Sequence, residues 1–274
     1  MSGFIDRERL KRMRNFQSQD WYPAVAIRPL TILIMLVIGD WKFLTPNRLT
    51  TIANLFKVAT VVFLVPEWTA RLGFAPWPAT VWAVVFLQLG IIFDHLDGTM
   101  ARYRRTFTTL GSFYDKSSDI VTWFAICAAL GWRAYAGTGD AFLIILATGS
   151  AGFLAFRGYM KWLSTAEHEK LRWREAAADP AGVIARRTAP PKISEPPVRT
   201  AAEWLRWFGS RTLRIFWFEE MDLFFWVGLG LLLDRLTPLL WFMFVTQGAG
   251  FAAIFVYRHV EAHRVDLAMR KPPA

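Results

Sequence analysis

Cysteine is nearly absent: Cys127 is the single one in 274 residues. An internal disulfide is therefore excluded, and so is a metal centre built on several thiolates. The first twenty residues contain no apolar stretch, so no cleavable signal peptide is expected there. No internal repeat is visible. Acidic residues are the minority charge, 22 against 32 Lys and Arg, which leaves a net charge of +10. The basic residues are gathered between apolar blocks, so membrane topology and anionic headgroups account for them, and no nucleic-acid partner is expected.

What the chain has in quantity is apolar sequence, 54% of residues, in long blocks. Several approach the roughly 20 residues that cross a bilayer core. The pattern predicts an all-α integral membrane protein with six transmembrane helices plus an N-terminal amphipathic interfacial helix. The spans are expected near 48–66, 78–101, 109–131, 141–163, 216–234 and 237–258, with the interfacial helix within 24–39, where Arg28 and Pro29 interrupt the apolar run. The corresponding organisation is a cytosolic segment 1–45, a six-helix domain 46–260 with a mobile proline-rich loop 175–200, and a cytosolic tail 261–274. A second surface helix is expected over 201–217, where Trp and Leu alternate with Arg206, Arg211 and Arg214. One set of connections holds only Arg71, Arg133 and Arg235, whereas the other holds nearly all remaining Lys and Arg. The positive-inside rule then puts both termini in the cytosol.

Charged side chains inside membrane helices are costly and mark functional sites. Four aspartates fall at the expected cytosolic ends of the second and third spans: Asp94 and Asp97 in FDHLDGTMAR, Asp115 and Asp119 in GSFYDKSSD. The first pair is spaced i, i+3 and the second i, i+4, so each pair shares one helix face. Small residues, Gly98, Ala101 and Gly111, continue those faces and leave room for a ligand or a close helix approach. The short connection predicts antiparallel neighbours with four converging carboxylates. These cannot all stay ionised without a compensating cation. An all-oxygen set favours Mg²⁺ or Mn²⁺, and two such ions would clamp a diphosphate for in-line displacement. Arg102, Arg104 and Arg105 border the site. The competing structural reading, in which the aspartates merely pair with Lys116 and these arginines, suits four mutually repelling charges poorly.

Residues 94–119 read D-x2-D-G-x2-A-R-x8-G-x3-D-x3-D. This resembles the signature of the CDP-alcohol phosphatidyltransferase family at all eight fixed positions. The expected six spans and the PNRLT start of the first are similar to that family too. The resemblance implies transfer of a substituted phosphate from a CDP-linked lipid or alcohol donor to a hydroxyl, with release of CMP, in a homodimer whose site opens to the cytosol. A prokaryotic inner membrane is the expected setting. Carried over, Asp94, Asp97 and Asp115 are metal ligands and Asp119 lies near a second ion. Asp97, Gly98, Ala101, Arg102 and Gly111 line the CDP site, and Asp119 is the general base. Where family members use a phosphorylated acceptor, a basic pocket holds its phosphate; Arg157, Lys161 and Arg214 are the candidates. Arg157 could instead pair with Glu219, Glu220 or Asp222, and Lys161 could snorkel to the interface. CDP-diacylglycerol is the favoured donor, with a small polar alcohol as acceptor. The reverse arrangement, a CDP-alcohol donating to diacylglycerol, stays open.

Lys57 lies inside the first span with no role that the sequence decides. His95 sits about 100° around the helix from the neighbouring ligand, which suits packing better than ligation. Two other classes compete. An intramembrane prenyltransferase also binds a diphosphate through aspartate-held Mg²⁺, but with two well-separated motifs. A divalent cation transporter would place its carboxylates near the bilayer midplane, away from a basic loop.

Overall fold

The computed structural model describes Met13 and residues 21–180, 200–212 and 220–270. Among these residues there are helices and no strands. They run α1 (Pro23–Ile38), α2 (Pro46–Leu64), α3 (Pro66–Arg71), α4 (Pro76–Arg104), α5 (Thr109–Thr138), α6 (Phe142–Ala178), α7 (Ala201–Thr212), α8 (Glu220–Leu232) and α9 (Leu236–Arg270).

Local chemistry sets many of the boundaries. Pro46, Pro66 and Pro76 occupy the first helical positions of α2, α3 and α4, where a missing N–H costs nothing. Thr45 caps α2 by accepting from the Arg48 N–H, and Thr108 caps α5 by accepting from the Gly111 N–H at 3.0 Å. Gly139, at φ 75°, ends α5 in the left-handed region. Arg105 ends α4 in the same region at φ 56°, without being glycine.

Among the described residues, four helices are long and apolar enough to cross a membrane: α4, α5, α6 and α9. The described residues are thus all-helical, and the chain is an integral membrane protein. The first expected span coincides with α2, 19 residues long, but Arg48, Asn54 and Lys57 leave it less apolar than those four. The expected fifth span, 216–234, lies partly outside the described residues, and its described part, α8, has 13 residues. The interfacial segment 24–39 is helical as α1, opening with a π-turn over Pro23–Ile27. The loop expected over 175–200 falls largely outside the described residues, as does the end of the 201–217 helix. The four long helices overrun their expected spans, α6 and α9 furthest. α6 continues past 163 to Ala178 and α9 past 258 to Arg270, because the hydrophobic run ends but the helix-forming sequence does not.

The chain divides into two compact units. The first holds residues 1–151 and 195–246. In it α2 packs along α4 and also against α5, more extensively than those two pack on each other. α1 and α8 also lie on α4. Asp222, for which the sequence suggested only an ion pair, is buried and accepts a hydrogen bond from the Tyr22 N–H at 2.7 Å, tying α8 to the start of α1. Arg104 donates to the carbonyls of Gly39, Trp41 and Leu44 at 2.9, 2.9 and 2.5 Å, so it fastens the α1–α2 connection. On α3, the Trp132 indole donates to Glu67 at 2.9 Å, and that bond holds the Glu67 carboxyl below its ordinary pKa. The second unit holds residues 152–194 and 247–274. There Arg157 donates to Gln247 at 2.9 Å, and Glu261 accepts from Ser164 at 2.6 Å and from Arg258.

Candidate active site

Asp94 and Asp97 come from α4, and Asp115 and Asp119 from α5. One carboxylate oxygen each from Asp94, Asp97 and Asp115 lies within 4.8 Å of the others. Two ligands on one ion can stand no further apart than twice the metal–oxygen distance, about 4.2 Å for Mg²⁺ and about 5 Å for Ca²⁺, so these oxygens are grouped as ligands of one hard divalent cation would be and would draw in slightly around Mg²⁺. The donor set is all oxygen and therefore fits such an ion.

Between the helices runs a polar stripe of α2. Its Asn47, Thr50, Asn54 and Lys57 recur at three- and four-residue steps, which places them on one face. Thr50 donates its hydroxyl proton to Asp97, which is 6% exposed. Lys57, 3% exposed, reaches past Gly90 and bonds Asp94 at 2.9 Å and Asp119 at 2.5 Å. The Asn54 carbonyl oxygen is buried with no hydrogen-bond partner among the described residues. None of these α2 residues was singled out for the site by sequence, although their helical spacing was a usable signal.

The residues expected to meet the nucleotide have the following surroundings. Gly98 lies under the Arg102 guanidinium, where a Cβ would come within 3.3 Å of Nη1. Arg102 also donates to Thr99 at 3.3 Å. Ala101 is buried. At Gly111 a Cβ would stand 2.8 Å from both the Asn47 and the Thr108 side-chain oxygens, so the glycine lets the starts of α2 and α5 meet. Of the three bordering arginines, Arg104 is committed to the α1–α2 connection. Lys116 is exposed, and among the described residues Lys57 pairs with Asp94 and Asp119. His95 bonds its own helix at the Ile91 carbonyl, at 3.2 Å. Of the acceptor candidates, Arg157 is buried and Lys161 exposed, both in the second unit, and Arg214 lies outside the described residues.

Residues 43–176, just under half of the chain, match the family model described as CDP-alcohol phosphatidyltransferase, so this stretch carries a domain of that family. The matched stretch contains α2 to α5 and nearly all of α6, and with them every site aspartate. A phosphatidylinositol phosphate synthase of Corynebacterium glutamicum is similar to this chain, 33% identical over 88 residues, which are 32% of this chain and 36% of the relative. The chain thus spans about a third of the length of the curated relative it matches.

Proposed function

We propose that this protein transfers a phosphatidyl group from CDP-diacylglycerol to the hydroxyl of a small polar alcohol, releasing CMP, in phospholipid biosynthesis. The observation that carries the reading is the convergence of Asp94, Asp97 and Asp115 within 4.8 Å at the centre of the signature. These three would hold a divalent cation, Mg²⁺ or Mn²⁺. When bound, the ion supplies positive charge against the diphosphate and its leaving oxygen.

The chain's own residues do the rest. Arg102, over Gly98, is placed to meet diphosphate charge, and the small positions at 98, 101 and 111 admit the nucleotide. Asp119 accepts the proton of the acceptor hydroxyl. The hydroxyl oxygen bonds to the phosphorus that carries the diacylglycerol, the bond from that phosphorus to the CMP oxygen breaks, and CMP leaves with the electron pair. Transfer in the membrane keeps the lipid product in its solvent while the nucleotide returns to water.

The relative's name supports an inositol phosphate acceptor as the first candidate. Arg157, Lys161 and Arg214 are the residues proposed to receive its phosphate, and Arg157 is buried and held by Gln247. The cytosolic orientation, the homodimer and an inner-membrane location belong to the same proposal.

The test is CMP release from CDP-diacylglycerol by the purified protein in detergent, with Mg²⁺, across inositol phosphate, glycerol phosphate, inositol and serine. Release that depends on one acceptor and stops with a chelator supports the reading. Consumption of a CDP-alcohol with diacylglycerol, and none of CDP-diacylglycerol, would reverse donor and acceptor. Indifference to every cytidine nucleotide would end it.

A further inference from the structure

Lys57 is a long cationic side chain buried to 3% exposure in a membrane-embedded bundle. Such a placement is unfavourable unless the charge is paired. Here it is paired twice, with Asp94 at 2.9 Å and Asp119 at 2.5 Å. The position is also shaped for it. A Cβ on Gly90, one turn before Asp94 on α4, would stand 3.1 Å from Lys57 Cγ, so the glycine leaves the passage through which the stem runs. Asp94, Asp97 and Asp115 form a group close enough to share an ion; Asp119 does not join that group of three and meets Asp94 through Lys57 instead.

Building on the proposed phosphatidyl transfer, we infer that Lys57 is the built-in second cation of this site: its ammonium fastens Asp119 to Asp94 where a second divalent ion would sit. The chain then carries one divalent ion, at Asp94, Asp97 and Asp115, and Asp119 stays clear of metal. An ammonium has three donors and no lone pair, so it cannot ligate an ion, and its charge repels one placed between the same two carboxylates. Lys57 is thus a positioning residue. It orients the base without touching the reacting atoms, and it removes the competition between metal and proton for the Asp119 oxygens.

The test counts Mn²⁺ bound to the full-length purified protein by electron paramagnetic resonance, with CMP release measured on the same samples. The expected result is one Mn²⁺ per wild-type chain without a spin-coupled pair signal, and two per chain with a coupled signal in Lys57→Met. A lysine that merely supported packing would not add a metal site when removed. Two ions per wild-type chain, or an unchanged count of one in Lys57→Met, overturns the inference. Should Lys57→Met fail to fold, the aspartates decide. Asp97→Asn should weaken Mn²⁺ binding by about 10–100-fold or more, and Asp119→Asn should leave it within about threefold. Equal losses in both overturn the inference. Two bound ions with CMP release intact sink only the lysine assignment. No bound ion and no CMP release sink the proposed transfer as well.

Discussion

A buried carboxylate is held by whatever donates to it, and here the donors come mostly from α2. Thr50 supports Asp97 and Lys57 supports Asp94 and Asp119. Support of this kind orients a ligand without contacting the ion, and its loss commonly costs about 10–100-fold in metal affinity or activity. Thr50→Val keeps the shape and removes the donor, so it should weaken Mn²⁺ binding by about that factor while the thermal midpoint shifts little. Unaltered Mn²⁺ affinity would show that Asp97 needs no such support. Asp119→Asn keeps the volume and removes the base. Turnover should fall by about 10²–10⁴-fold, with CDP affinity, read by calorimetry, close to that of the wild type. Near-normal CMP release by this variant would refute the assignment of Asp119.

At the level of helices, glycine positions decide how closely the elements meet. At Gly131 on α5, a Cβ would stand 2.9 Å from both the Ala147 Cβ and the Ile144 Cα of α6. A backbone atom cannot swing aside as a side chain can, so Gly131→Ala should push α5 and α6 apart. Overpacking of this kind costs about 1–3 kcal/mol. Gly137, on the same helix, has nothing within 4 Å of the place a Cβ would take. There the change should be neutral or stabilising by up to about 1 kcal/mol, since alanine is the better helix former. Thermal unfolding of the two variants in one detergent makes the comparison, and equal midpoints would contradict the close approach at Gly131. The same logic explains Gly111, whose missing side chain is replaced by Asn47 from the start of α2.

For the whole molecule the solvent is the bilayer. Large apolar side chains such as Leu110, Phe113 and Val121 on α5 are 71%, 69% and 69% exposed, which suits lipid and would be adverse in water. α4 has 29 residues, so it spans about 43 Å at about 1.5 Å per residue, enough to cross a hydrocarbon core of about 30 Å. Residues 71 and 106 flank it. By the distribution of Lys and Arg, Thr106→Cys should react with an impermeant maleimide only from the cytosolic side, and Arg71→Cys only from the other. Cys127 is fully buried and contributes no background. Labelling of both cysteines from the same side would refute the proposed crossing, and labelling with the sides exchanged would invert the topology.

The local chemistry of this chain was legible from its residues in order. The helical class, the PNRLT start of α2 and the two aspartate pairs all follow from 3.6-residue periodicity, helix-start chemistry and the cost of charge in lipid. Those rules act within a few residues. The ends of α6 and α9 escaped them, because hydropathy registers where lipid ends and the helix goes on into water. What lay beyond them altogether was which face of α2 turns toward the aspartates. Lys57 and Asp119 are 62 positions apart, and their bond depends on the rotation of one helix about its axis against two others. That rotation is set by packing, by Gly90 and Gly111 giving way where α2 comes close, and only the folded bundle decides it.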